Sequence, residues 1–333
     1  MKQVHMKQVH MKQVHMARPD AYVPVAVTQR SGFDESVHFG ALVALASDGS
    51  IEFVLGDPTI DVYPRSSNKP MQAVAMVRAG LRLPPELLAL VCASHDGTPA
   101  HLAAARQILA GAGLDETALG NTADLPLDEA AAEVVLRAGG SRTPLQMNCS
   151  GKHSGMLATC VHQGWSLDHY LHVDHPLQLA ITDTIADLAR QTPPHIGVDG
   201  CGAPAHVMSL VGLAHAFRSI ATGDAGDAGD QVYAAMVGHP HMVGGDQRDV
   251  TQFMRHVPGL IAKDGADGVF AAAMPDGRAV ALKIADGADR ARPPLMLDAL
   301  TRLGLSTVAV APLVAETIKG HGHVVGRVRS LLV

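Results

Sequence analysis

Apolar and polar residues alternate mainly near the two ends of the chain, and this pattern predicts β-strands there. The first three segments are Val-rich and separated by short polar turns such as Ser47-Asp-Gly-Ser50, which predicts an antiparallel meander. One further short apolar run precedes a glycine-rich turn in the middle of the chain. The predicted strands are 22–30, 37–46, 51–55, 196–198, 260–263, 268–273, 278–284 and 324–332.

Between the terminal strands, apolar residues recur every three or four positions, which predicts helices. The predicted helices are 67–80, 84–92, 99–111, 128–138, 150–162, 176–190, 206–222, 250–256 and 293–303. The Gly-Asp-Ala repeat at 223–230 is predicted to be a solvated loop. Strands at both ends with helices between them predict an α+β fold, in which an antiparallel sheet packs against a helical lobe with a cleft between the two.

The sequence begins with Met-Lys-Gln-Val-His repeated three times, which no natural fold requires. We interpret residues 1–15 as an expression tag and Met16 as the native start. No polar linker divides the remainder, so we expect residues 16–333 to form one domain. A hydrophobic content of 47% supplies a core, and an aromatic content of 3% means that Ala, Val, Leu and Met must build it.

Charge and hydropathy exclude some classes of protein. The formal net charge is −6 and no basic run occurs, which argues against nucleic acid and anionic membrane as partners. No apolar run reaches the roughly 20 residues that a membrane span requires, and no signal peptide follows Met16. We therefore expect a cytoplasmic protein whose four cysteines are reduced.

Serine and lysine recur in polar turns that could carry nucleophilic chemistry. Ser66 and Lys69 are one helical turn apart, so a neutral Lys69 amine could accept the proton of the Ser66 hydroxyl. Ser94 follows an apolar helix end, and Lys263 ends a short strand. Each also has an ordinary interpretation: a serine at a helix start is usually a cap, Gly97 can end a helix, and a turn lysine can lie in solvent.

Two cysteines and a lysine form a second candidate cluster. Cys149 and Lys152 project to one side of the first turn of the helix predicted from Ser150, and Cys201 lies in a glycine-bracketed turn. Two thiolates and a neutral amine could bind zinc and leave a fourth position open. The alternatives are a cationic lysine that lowers a thiolate pKa, or cysteines that are simply buried.

Five segments taken together resemble the Rhizobium-etli-type (class 3) L-asparaginases. They are Arg65-Ser-Ser-Asn-Lys-Pro-Met-Gln72, Cys92-Ala-Ser-His-Asp-Gly97, Asn148-Cys-Ser-Gly-Lys-His153, Gly197-Val-Asp-Gly-Cys-Gly-Ala-Pro204 and Ile261-Ala-Lys-Asp-Gly265. The resemblance covers nearly the whole native chain. It implies a fold similar to serine β-lactamases and penicillin-binding proteins, a homodimer, and hydrolysis of L-asparagine to L-aspartate and ammonia.

The resemblance also implies roles for individual residues. It implies two Ser-Lys tandems, Ser66 with Lys69 and Ser94 with Lys263. It implies a Zn²⁺ ion on Cys149, Lys152 and Cys201, with Arg65, His153 and Asp199 as groups that position the substrate. Ser67 leaves open which hydroxyl aligns with the first tandem, although the spacing to Lys69 favours Ser66.

Other functions remain open at this stage. One is another amide or β-lactam hydrolase on the same scaffold, and another is a noncatalytic, zinc-stabilised binding protein whose serines only cap helices. The sequence also leaves open the activity on glutamine, the serine that forms an acyl-enzyme, and the role of zinc.

Overall fold

The computed structural model describes residues 18–332, so the tag assigned to residues 1–15 lies outside the described residues. The strands are β1 (Val23–Arg30), β2 (Phe33–Leu45), β3 (Ile51–Leu55), β4 (Asp61–Val62), β5 (Ile196–Val198), β6 (Pro204–His206), β7 (Met208–Ser209), β8 (Ile261–Gly265), β9 (Val269–Ala273), β10 (Ala279–Ile284), β11 (Thr317–Gly320) and β12 (His323–Ser330). The helices are α1 (Lys69–Arg78), α2 (Pro85–Val91), α3 (Pro99–Gly111), α4 (Glu129–Arg137), α5 (Ser150–Gln163), α6 (Pro176–Ala189), α7 (Leu210–Thr222), α8 (Gly226–Gly238), α9 (Pro240–Val243), α10 (Asp249–His256) and α11 (Arg292–Arg302).

The main sheet joins strands from the two ends of the chain. Its order is β11-β12-β1-β2-β10-β9-β8, with β3 beside β2, and every pairing is antiparallel. The predicted meander and the α+β class with a sheet built from both ends are therefore confirmed. Strands β8 and β9 are buried along their whole length, since helices cover them.

Helices lie on the sheet and form the rest of the core. Helix α7 contacts β2, β9 and β10, and α11 contacts β10 and β12. The face of α7 that points to the sheet carries Leu213, Phe217 and Ile220, which recur at helical spacing and are fully buried. Helix α1 is buried on nearly all sides by α5, α6 and α8, so its first residues sit deep inside the protein.

One predicted helix was wrong in its extent, and one strand of the main sheet was missed. The helix predicted from residue 206 begins at Leu210, because residues 204–206 pair with β5 instead. Ser209 then starts the helix, with its hydroxyl accepting a hydrogen bond from the Gly212 N–H at 3.1 Å. The short strand β11 near the end of the chain was not predicted.

The acidic repeat at 223–230 is not a loop throughout. Helix α8 begins at Gly226, and Ala225 and Ala228 are buried. These small side chains let α8 pack closely against α7, so tertiary packing overrides the loop-forming composition. No helix within residues 18–332 combines the length and apolarity needed to cross a bilayer.

Candidate active site

The first serine cluster lies on a turn held against β8. Residues 65–68 form a 3₁₀ turn that continues directly into α1 at Lys69. Ser67 donates a hydrogen bond from its hydroxyl to the Lys263 carbonyl oxygen at 2.9 Å, which ties the turn to the strand. A Cβ at Gly265 would lie 2.2 Å from the Pro64 carbonyl oxygen, so only glycine permits this approach. The Ser67 hydroxyl is thereby occupied, and Ser66 is left half-buried beside a cavity.

The Lys69 side chain reaches the second serine. Its Nζ donates to the Ala93 carbonyl oxygen at 2.5 Å and to the Ser94 Oγ at 3.0 Å. Both side chains are buried, Lys69 at 1% exposure. Ser94, three residues after the end of α2, is therefore in direct contact with Lys69, the first residue of α1. The resemblance had paired Lys69 with Ser66 instead.

The Lys263 amine points to its neighbour in sequence. Its Nζ donates to the Asp264 carbonyl oxygen at 2.8 Å and to the Asp264 carboxylate. Burial lowers the pKa of Lys263 to about 8. Repulsion from Lys69 in its charged form adds to this lowering, while the Asp264 carboxylate opposes it. Among the described residues Lys263 makes no hydrogen bond to Ser94, the partner that the resemblance implied.

An ion-pair network that the sequence did not predict includes Lys263. Arg248 donates to Asp264 Oδ2 at 2.5 Å and to Asp96 Oδ1 at 3.4 Å. Burial raises the pKa of Asp264, but Lys263 and Arg248 outweigh it and the net pKa is lowered, so this carboxylate is ionised. Asp264 is adjacent to Lys263 and Asp96 lies two residues after Ser94, and that proximity in sequence was the available signal. Nothing local marked Arg248.

A cavity of about 460 Å³ opens beside the two serines. Its lining includes Ser66, Ser94, Asn148, Arg248, Asp264 and Arg292. The cavity is in the size range typical of small-molecule sites, and both candidate nucleophiles lie on its wall. The arrangement therefore offers a buried amine, two hydroxyls and a space for a substrate.

The two cysteines and Lys152 converge although they come from separate elements. Cys149 immediately precedes α5, Lys152 lies in its first turn, and the β5–β6 hairpin presents Cys201. The Lys152 Nζ lies 3.2 Å from the Cys201 sulfur. All three side chains are almost fully buried, at 3%, 2% and 1% exposure respectively. The predicted cluster therefore exists as a structural unit.

Electrostatics within this cluster favour a thiolate. Hydrogen bonding with Cys149, together with the Lys152 ammonium, lowers the pKa of Cys201 despite its burial. Burial opposes the charge on Lys152, but the two sulfurs outweigh it and raise the pKa of the amine. Burial lowers the pKa of His153 to about 4, so its ring is neutral. The His153 Nδ1 lies 2.7 Å from the Tyr170 hydroxyl, and its buried Nε2 has no hydrogen-bond partner among the described residues.

The donor set fits a zinc ion in its chemistry. Sulfur and nitrogen are the ligands that zinc prefers, and a buried thiolate with an unpaired imidazole nitrogen beside the cluster is a suitable environment. Within residues 18–332, no three or more His, Cys, Asp or Glu side chains are grouped so as to hold a metal ion. Zinc here would therefore require the Lys152 amine as a third donor, after loss of its proton.

Arg65 links the two clusters. Its Nε donates to Asp199 Oδ1 at 2.9 Å, and a second guanidinium nitrogen contacts Asp267. Arg65 adopts a φ of 52°, a left-handed conformation that is uncommon for a side chain of this size. Arg65 is adjacent to Ser66, and Asp199 lies two residues before Cys201, so this ion pair joins the serine turn to the cysteine loop.

Comparisons with known proteins agree with the motif analysis at the level of family. A family model described as L-asparaginase II matches residues 26–330. No curated protein matches the chain. Similar solved structures include a probable glutaminase from Bacillus subtilis complexed with 6-diazo-5-oxo-L-norleucine, at 13% identity and a TM-score of 0.39, covering 80% of this chain and 85% of that one. A β-lactamase from Mycobacterium bovis matches at 15% identity and a TM-score of 0.37, covering 79% and 94%.

Proposed function

This chain belongs to the L-asparaginase II family, and we propose that it hydrolyses L-asparagine to L-aspartate and ammonia. Membership of the family supports an amidohydrolase. The single observation that carries the chemical proposal is the Lys69 amine 3.0 Å from the Ser94 hydroxyl, at the wall of a cavity that Ser66 also lines.

Lys69 and a serine would perform the first half of the reaction. A neutral amine accepts the hydroxyl proton while the serine oxygen attacks the side-chain amide carbon of asparagine. The same amine then returns the proton to the nitrogen that leaves as ammonia, because a group that accepts a proton in one step can donate it in the next. The contact geometry favours Ser94 as the nucleophile, with the Ser66 hydroxyl as a second group in the cavity.

Water completes the reaction by attack on the acyl-enzyme ester. Deprotonation of this water requires a base of the same kind, and the two buried lysines are the candidates. Lys263, with a pKa of about 8, can be neutral in a mildly alkaline solution. The ion pair of Asp264 with Arg248 anchors Lys263 from behind, so its amine has a defined position.

The cysteine cluster would bind the amino-acid end of the substrate. A zinc ion on Cys149, Lys152 and Cys201 would supply positive charge and an open coordination position for a substrate oxygen or nitrogen. Arg65 and Asp199 lie between this cluster and the serine turn, where an α-carboxylate and an α-ammonium could be recognised. His153, fully buried against Tyr170, would support the cluster from behind.

Ammonia release tests the proposal directly. Tag-free protein is incubated with zinc and L-asparagine, and ammonia is compared with that from a Lys69→Met variant. L-Glutamine and a chromogenic cephalosporin, assayed in parallel, test the related amide and β-lactam activities. The absence of asparagine turnover above the Lys69→Met background, in protein shown to be folded, would reject the assignment.

We also propose a homodimer. The resemblance implies it, and the exposed apolar side chains Phe33, Val37 and Phe39 on β2 support it as a surface that a second copy could cover. Light scattering on the tag-free protein measures the mass in solution, and a monomeric mass would reject the dimer.

A further inference from the structure

The cavity beside the serines is larger than the leaving group of asparagine requires. Ammonia is about the size of water, which occupies about 30 Å³ in the liquid, so a volume of 460 Å³ exceeds it roughly fifteenfold. Cys149, Lys152 and Cys201 do not line this cavity, whereas Ser66 and Ser94 do. If the amino-acid end of the substrate lies at the cysteine cluster, the cavity is free to hold a group attached to the amide nitrogen.

The wall of the cavity carries more negative than positive side chains. Its charged lining consists of Arg248, Arg292, Asp249, Asp264, Asp289 and Glu316. Both guanidinium groups are already held. Arg248 contacts Asp96 and Asp264, and Arg292 donates to the Gly265 carbonyl oxygen at 2.7 Å and lies 3.4 Å from Asp289. A ligand carboxylate that enters this cavity would therefore be repelled by the net negative charge of the wall, whereas a ligand cation would be attracted by it.

Glu316 is the carboxylate best placed to receive such a cation. It is half-buried just before β11, and its side chain makes no hydrogen bond or ion pair with any residue from 18 to 332. Burial and the nearby Asp249 carboxylate raise the pKa of Glu316. Burial also raises the pKa of Asp249. Asp249 already lies 3.9 Å from the Arg292 guanidinium, so Glu316 is the carboxylate left to receive a positive charge.

We propose that the cavity accepts substituents on the side-chain amide nitrogen. The enzyme would then also hydrolyse β-aspartyl amides of amines whose distal end carries a positive charge. This inference rests on the amide hydrolysis proposed above. The C–N bond breaks as before and the serine ester forms. The leaving nitrogen takes the serine proton through Lys69 and departs as the free amine, and water then releases aspartate.

Three synthetic amides test the inference on the intact protein. They join the β-carboxyl group of L-aspartate to diaminobutane, to pentylamine and to γ-aminobutyrate, so that the distal end is cationic, neutral or anionic at similar length. Aspartate release is measured for each, with L-asparagine as reference. We expect the highest kcat/KM among the three for the cationic amide, up to about fivefold above the neutral one, as one partly exposed ion pair provides.

Glu316→Gln should reduce the preference for the cationic over the neutral amide toward unity, with each rate taken relative to the same variant's rate on asparagine. The matched control is Glu52→Gln, which makes the same chemical change at an exposed position of β3 outside the cavity. This variant should keep the preference for the cationic amide. Hydrolysis of asparagine without hydrolysis of any substituted amide would leave the proposed function standing and overturn this inference. A preference for the neutral or anionic amide, or an unchanged preference in Glu316→Gln, would also overturn it.

Discussion

Replacing Ser94 by alanine tests the contact on which the proposed chemistry depends. The substitution removes the hydroxyl that lies 3.0 Å from Lys69 Nζ, while the lysine keeps its bond to the Ala93 carbonyl oxygen at 2.5 Å. Ser67→Ala is a matched control. It removes a neighbouring buried hydroxyl whose bond goes to the Lys263 backbone and which does not line the cavity.

The two substitutions should cost similar stability and very different activity. Each loses one buried hydrogen bond, worth about 1–2 kcal/mol. A domain typically has about 5–15 kcal/mol of stability, so both variants remain folded. Loss of the nucleophile should lower kcat by about 10⁴-fold or more, equivalent to about 5 kcal/mol of transition-state stabilisation. We expect Ser67→Ala to keep its activity within a few-fold. In that case the loss of activity in Ser94→Ala is not explained by the loss of one buried hydrogen bond.

Ammonia release under saturating asparagine, thermal melting and mass spectrometry of acid-quenched enzyme form the assay. We expect an acyl adduct on the peptide that contains Ser94 and none in Ser94→Ala. A Ser66→Ala variant, measured beside it, should lose orders of magnitude in kcat through the loss of a second polar group in the cavity while still forming the adduct. An adduct on Ser66, with Ser94→Ala still forming it, would refute the pairing of Lys69 with Ser94 and restore the pairing implied by the resemblance.

Three further outcomes are expected. The kcat for asparagine, which includes hydrolysis of the acyl-enzyme, should rise as pH passes about 8, because loss of the Lys263 proton supplies the neutral amine that deprotonates water. Asp264→Asn removes a carboxylate that favours the charged amine and should move this rise about one pH unit lower. A superimposable pH profile would contradict that link. Purified protein should contain zinc and melt at a higher temperature when zinc is added, and Cys201→Ser should lose both effects. Equal metal content in the two proteins would show that the cysteines are simply buried and bind no zinc. In Gly245→Ala the new Cβ would lie 1.8 Å from Asp96 Oδ2, so the melting temperature and the activity should both fall. A melt identical to wild type would show that Asp96 can move away from this position without loss of stability.

The local sequence determined most of the helices and strands, and which polar residues lie together in each turn. The apolar periodicity placed α2, α3, α5, α6 and α11 within one or two residues of their observed bounds, because each has a clear stripe of apolar residues and a definite start or stop. Cys149 and Lys152 share one side of a first helical turn by spacing alone. The strand pattern at both ends was sufficient for the α+β class.

Tertiary structure decided which of these residues meet. Lys69 contacts Ser94 because α1 and the end of α2 pack together inside the helical lobe, and no spacing rule contains that contact. Cys201 reaches Lys152 only because the β5–β6 hairpin folds over α5. The Arg248–Asp264 pair joins the residue before α10 to β8, and the acidic repeat becomes part of α8 because its alanines are buried. These contacts depend on how the helices and the sheet pack against one another, and the local preference of a segment for helix or strand does not determine that packing.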